Sequence, residues 1–94
     1  MAAATIHEDE GPTYVVTVDA ARSAGAPIVF EAVWLTLTVH SALESVGLTA
    51  AFSAALGAAG IACNVLAGYH HDHLLVPAGR ADDATAVLRA LSSR

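Results

Sequence analysis

From Ser45 to His71 the chain carries no Asp, Glu, Lys or Arg, and this charge-free run limits what it can fold into more than any other feature. A run of that length either crosses a bilayer or lies inside a globular fold. Its composition decides for the second. Gly47, Gly57, Gly60 and Gly68 and the polar Asn64 interrupt it, and much of its bulk is alanine, which gains little from transfer into lipid. Leu48, Ala51, Phe52, Ala55, Leu56 and Ala59 repeat at helical spacing and make one apolar face through "GLTAAFSAALGAAG". Small residues on that face let the helix sit close on a sheet. Gly60 is placed to end the helix, and "IACNVLAGY" after it reads as a strand.

The flanking segments complete an alternating pattern. In "PIVFEAVWLTLTVH", Trp34, Thr36 and Thr38 alternate with Val33, Leu35, Leu37 and Val39 at the strand period of two. "HHDHLLVP" reads as a further strand that forms a hairpin with "IACNVLAGY". "RADDATAVLRAL" reads as a last helix with Asp82 and Asp83 in its first turn and Arg89 near its end, both favourable to the helix dipole, and with Ala84, Val87, Leu88 and Leu91 facing inward. The order from Val33 to Leu91 is therefore strand, helix, strand, strand, helix. A βαββαβ sandwich needs one strand more, and "SSR" is too short and polar to supply it, so an earlier segment or another copy of the chain must cover that edge.

Upstream, "ATIHEDEGPTYVVTV" holds two short β-prone runs around a turn at Glu8 to Pro12, and "DAARSAGAP" supplies a short helix with Asp19 as its N-cap. A weak internal echo links the ends of the chain. "TYVVTVDAARSAG" and "DHLLVPAGRADDA" share the order polar residue, aromatic ring, apolar run, short helix. The chain is thus expected to divide into residues 1–30, a hairpin and short helix left from the back half of a preceding copy of the unit, and residues 31–94, the following unit without its last strand.

Charge excludes several function classes. Nine carboxylates against four arginines and no lysine give a net charge of -5, the wrong sign for a phosphate backbone or an anionic membrane. Nucleic acid and membrane are not expected partners. Without lysine there is no Schiff-base chemistry and no phosphate loop that needs an ammonium group. The lone Cys63 cannot form an internal disulfide, and "MAAATIHEDEG" has no basic stretch leading into an apolar one, so a reducing cytoplasm is the expected location.

"SALESVGLTAAFSAAL", the "GIACNV" step and "DHLLVP", in this order and at this spacing, resemble the ACT domain, the small-molecule-sensing module of amino-acid enzymes. The resemblance runs from about Thr13 to Leu91 and is most similar to the C-terminal part of small bacterial two-repeat ACT proteins. It implies a ferredoxin-like α/β sandwich of the βαββαβ type, an antiparallel sheet with helices on one face, whose fourth strand comes from the N-terminal segment or a partner chain. It also implies a homodimer, no enzymatic activity, no cofactor, and an amino acid or similar effector bound between units. In such domains the turn after the first strand and the start of the first helix hold the ligand, and these correspond to His40 through Leu48, with Gly47 at the loop glycine. The Asp and Pro of the commonest ACT loop are replaced by Glu44 and Val46 nearby.

The candidate ligand-binding residues are therefore Ser41, Glu44, Val46, Gly47, Leu48, Asn64, Asp72 and His73. Ser41 and Glu44 in "SALE" fit a helix capping box, and each either only caps or also meets the ligand's amine or hydroxyl. His70, His71, Asp72 and His73 invite a metal reading, but on a strand adjacent side chains face opposite ways, which leaves two ligands on each side. A turn with edge polar residues lining a pocket fits them better. His40 next to Ser41 makes no nucleophilic triad without a carboxylate to orient it. Cys63 reads as an inert, buried thiol, Trp34 as core or interface packing, and Asn64 as a residue bonding across a unit pair or to a ligand. The alternative function is an interaction module that only dimerises, with a vestigial pocket.

Overall fold

The computed structural model describes residues 2–37 and 46–92, which fall into two compact units, Met1–Glu31 and Ala32–Arg94. In the first unit, strands β1 (Ala4–Glu8) and β2 (Gly11–Val15) form an antiparallel hairpin in which Glu8 lies opposite Gly11. Asp9 and Glu10 are thus a two-residue turn. Thr13 Oγ1 donates to Glu8 Oε1 across the hairpin at 2.6 Å. Helix α1 (Val18–Ser23) follows, and its cap is Thr17, whose Oγ1 accepts from the Ala20 N–H at 3.1 Å. Asp19, expected to be the cap, lies inside the first turn instead. Thr17 is an equally competent cap two positions earlier, and an aspartate one residue into the helix still meets the positive end of the dipole.

The second unit contains β3 (Ala32–Thr36), α2 (Val46–Ala58), β4 (Asn64–Ala67), β5 (Asp72–Pro77), a single 3-10 turn (Ala78–Arg80) and α3 (Ala81–Ser92). The sheet order is β3-β5-β4, both pairings antiparallel. This is the mixed α+β, ferredoxin-like arrangement expected from the element order. β1 and β2 pair with each other in a sheet of their own, so among the described residues the three-stranded sheet takes no strand from the N-terminal segment.

The core lies on one face of the sheet. Leu74 and Val76 of β5 are fully buried, and opposite them in register stand Leu35 and Val33. Phe52 and Leu56 of α2 and Ala84, Val87, Leu88 and Leu91 of α3 close over them, so both helices cover the same face. Burying a side chain of this size contributes about 1.5–3 kcal/mol. The inward face expected for α3 is the one observed, and among the described side chains of α2 Phe52 and Leu56 are buried, Ala51 and Ala55 half-buried beside them, and Ala59, just past the helix, is exposed.

The end of α2 is fixed twice. Gly60 takes φ 72°, its N–H bonds to the Gly57 carbonyl and the Ile61 N–H bonds to the Leu56 carbonyl, the paired bonds of a Schellman stop. Arg80, arriving from the far side of the β4–β5 hairpin, then donates from Nη2 to the Ala59 carbonyl (3.2 Å) and from Nη1 to the Gly60 carbonyl (3.3 Å), while Asp83 accepts from its Nε at 3.0 Å. A cation at a helix C-terminus opposes the negative end of the dipole. Cys63, a free thiol placed by the sequence in a strand, lies just before β4 and packs half-buried against the core.

Candidate functional site

Because side chains alternate along a strand, the register sorts the candidate residues by face. Asp72 shares the helix-covered face with Leu74 and Val76. His73 lies on the opposite face with Leu75, with Trp34 and Thr36 of β3, and with Asn64 and Leu66 of β4. Asn64 stands opposite Leu75 and His73 opposite Leu66, so Asn64 and His73 share a face but are two residues out of step. Asn64 is exposed; Asp72 and His73 are half-buried.

Asp72 also marks one end of the sheet. The Leu37 N–H donates to the Asp72 carbonyl at 2.9 Å, at the point where the chain leaves β3 toward α2. Ser41 and Glu44 belong to that connection and, like His40, lie outside the described residues. Val46, Gly47 and Leu48 open α2; the side chains of Val46 and Leu48 lie outside the described residues as well.

On the face opposite α2 and α3 three polar groups meet. The Trp34 Nε1–H points at His73 Nδ1 and Thr36 Oγ1, 3.2 Å from each, and Thr36 Oγ1 is 3.0 Å from the same Nδ1. The indole nitrogen can only donate, to the hydroxyl, to Nδ1 or to both; a neutral imidazole that accepts from it carries its proton on Nε2. The two rings lie 4.9 Å apart at 39°, a tilted stack that fixes the imidazole plane.

The other histidines sit differently from the strand placement expected for them. β4 and β5 are joined by Gly68, Tyr69, His70 and His71, so His70 and His71 belong to the turn. His70 meets the Tyr69 ring edge-on at 4.9 Å, while His71 lies 6.5 Å from His73. The turn is tight. The Gly68 N–H bonds to the His71 carbonyl at 2.9 Å, and a Cβ on Gly68 would stand 2.8 Å from that oxygen and 3.2 Å from His73 Nε2. Among the described residues no group of three or more His, Cys, Asp or Glu is placed to hold a metal ion.

A groove of about 540 Å3 runs between the two long helices, lined by Ala51, Ala54, Ala55, Val87, Ala90 and Leu91. It offers no hydrogen-bonding side chain, so it cannot orient a charged metabolite. Reading the sequence missed the Trp34–Thr36–His73 cluster. The alternation in β3 places Trp34 and Thr36 on one face, but their meeting with His73 depends on register between strands far apart in sequence.

A family model described as ACT domain matches residues 29–90. Among solved structures, the chain is similar to a Vibrio cholerae protein whose crystal structure is described as that of a protein of unknown function, a possible transport protein. The two are 46% identical with a TM-score of 0.86, over 93% of this chain and 66% of that one. No curated protein matches the chain. No described helix is long and apolar enough to cross a membrane.

Proposed function

The chain belongs to the ACT domain family, and from that premise we propose that it is a non-enzymatic, cytoplasmic regulatory module that binds an amino acid or similar metabolite and acts as a homodimer. The observation that carries this reading is the β3-β5-β4 order with α2 and α3 on one face, in which, among the described residues, no strand pairs with the second flank of β3, where a fourth strand belongs. A second copy is the source of that strand. The binding site is the β3–α2 connection with its neighbours: Ser41, Glu44, Val46, Gly47 and Leu48, together with Asp72; Asn64 and His73, on the opposite face of the sheet, fall outside this pocket within one unit. The effector's carboxylate takes the unpaired N–H groups where α2 begins, with Gly47 permitting close approach to the backbone. Its ammonium group takes Glu44 or Asp72. Binding at the junction shifts how two units sit together, which is the regulatory output.

The N-terminal unit, on this reading, is the back half of a preceding repeat. Its order of hairpin then helix repeats that of β4, β5 and α3, which supports the assignment.

The test is a thermal-shift screen of the purified protein against the twenty amino acids at millimolar concentration. A ligand at 100 times its dissociation constant stabilises the folded state by about 2.7 kcal/mol, a readily measured rise in Tm. One amino-acid hit that Glu44→Ala abolishes supports the reading. A well-folded dimer that responds to none of them overturns the sensor and leaves an interaction module.

A further inference from the structure

The free flank of β3 has a definite chemistry. Since the Leu37 N–H bonds to β5, alternation turns the backbone groups of Leu35 and Val33 toward β5 as well, and those of Ala32, Trp34 and Thr36 toward the open side. Ala32 to Thr36 carries no charge and no proline, the residue-level devices that keep an edge strand from pairing.

Immediately upstream stands the matching part. Ile28, Val29 and Phe30 are apolar, β-prone and exposed, to 37, 95 and 63%. The observed sheets do not place them along β3 of their own chain, and Phe30, separated from Ala32 by Glu31 alone, cannot fold back on it, since the tightest hairpin connection needs two residues. A segment from a second copy has no such restriction.

We propose that residues 28–36 of two copies pair antiparallel about a two-fold axis, so that each copy's Ile28–Phe30 segment adds to the other's β3. The inference deepens the homodimer proposed above and rests on it. Centring the axis on Ala32 sets Ala32 against its own copy, Phe30 opposite Trp34 and Ile28 opposite Thr36. These are the three positions whose backbone groups point outward. The same register sets Val29 opposite Leu35, on the apolar face that the helices cover. The most exposed large apolar residue thereby gains an apolar neighbour, and the bend at Val29 straightens into strand. Two three-stranded sheets become one of six. Such self-complementary pairing closes on two copies and leaves no further edge of this kind.

Two variants test the pairing, both read by size-exclusion chromatography with light scattering and by sedimentation. Val29→Asp touches almost nothing in the single chain, so its circular dichroism should match wild type. Its dimer dissociation constant should rise on the order of 100-fold, because the charge is carried into an apolar pair. Ala32→Cys, made with Cys63→Ala, should cross-link to a covalent dimer on mild oxidation, since the two Cβ atoms meet at the axis. A wild-type dimer that Val29→Asp leaves intact and Ala32→Cys fails to cross-link overturns this pairing while sparing the homodimer. A wild-type monomer at high micromolar concentration overturns both.

Discussion

Three glycines in one unit should answer the same substitution in three different ways. At Gly60 the backbone sits at φ 72° and nothing lies within 4 Å of an added Cβ, so Gly60→Ala meets only the left-handed backbone penalty. That is a loss of about 1–2 kcal/mol. Gly57, three residues earlier, is helical and exposed, again with open space around the added carbon. There alanine raises helix propensity and removes unfolded-state freedom, a gain of about 0.5 kcal/mol so near a helix end. At Gly68 the added carbon would stand 2.8 Å from a backbone oxygen that already accepts the Gly68 N–H. The turn must open, which costs about 1–3 kcal/mol as in other overpacked sites. Urea unfolding at one fixed protomer concentration measures all three, because the proposed dimer would make apparent stability depend on concentration. For a chain of this size 1 kcal/mol corresponds to about 4–8 °C in Tm. The expected order is Gly57→Ala above wild type, then Gly60→Ala, with Gly68→Ala no better than the latter. A neutral Gly60→Ala would refute the left-handed helix stop. A destabilising Gly57→Ala would mean that another surface packs on that side of α2.

Two further perturbations address single interactions. Arg80→Ala removes the clip on the end of α2 and should lower stability by about 1 kcal/mol, reduced by its partial exposure, with Arg80→Lys recovering less than half because an ammonium cannot span two carbonyls; a thermal melt unchanged in Arg80→Ala would show the clip to be idle. For the ring cluster, long-range 1H–15N spectra should show His73 with its proton on Nε2, and Trp34→Phe should cost about 0.5–1.5 kcal/mol by removing a donor. A proton found on Nδ1 in the wild type would contradict the observed bond.

Much of the second unit was legible in the sequence because its signals are periodic and local. The stop at Gly60, the hairpin after it and the inward face of α3 each follow from a few adjacent residues. Asp19 illustrates how a local signal misleads: two good caps stood within three positions, and only backbone geometry chose Thr17. Arg80 illustrates what no local signal contains. Its carbonyl partners lie 20 and 21 residues upstream, and nothing in "PAGRADD" announces them. The boundary between turn and strand at His70 and His71 is not legible, because "HHDHLLVP" begins without a turn signal of its own. The turn lies in "GYHH", where the glycine is required for space and not for its dihedral angles.

The order β3-β5-β4 also has a kinetic consequence. β4 and β5 are joined by the four residues of a hairpin turn, whereas β3 reaches β5 only by closing residues 37–72. A loop roughly nine times longer costs about 2 kcal/mol more in closure entropy. The hairpin is therefore expected to form first and β3 to be recruited last, so that truncating Val33 should mainly speed unfolding and truncating Leu66 should mainly slow refolding in stopped-flow measurements. Until β3 arrives, β5 has a bare flank of its own in every folding chain. That interval, more than the native state, is when newly made copies are exposed to one another, and its length sets how much of the protein is lost to aggregation as concentration rises.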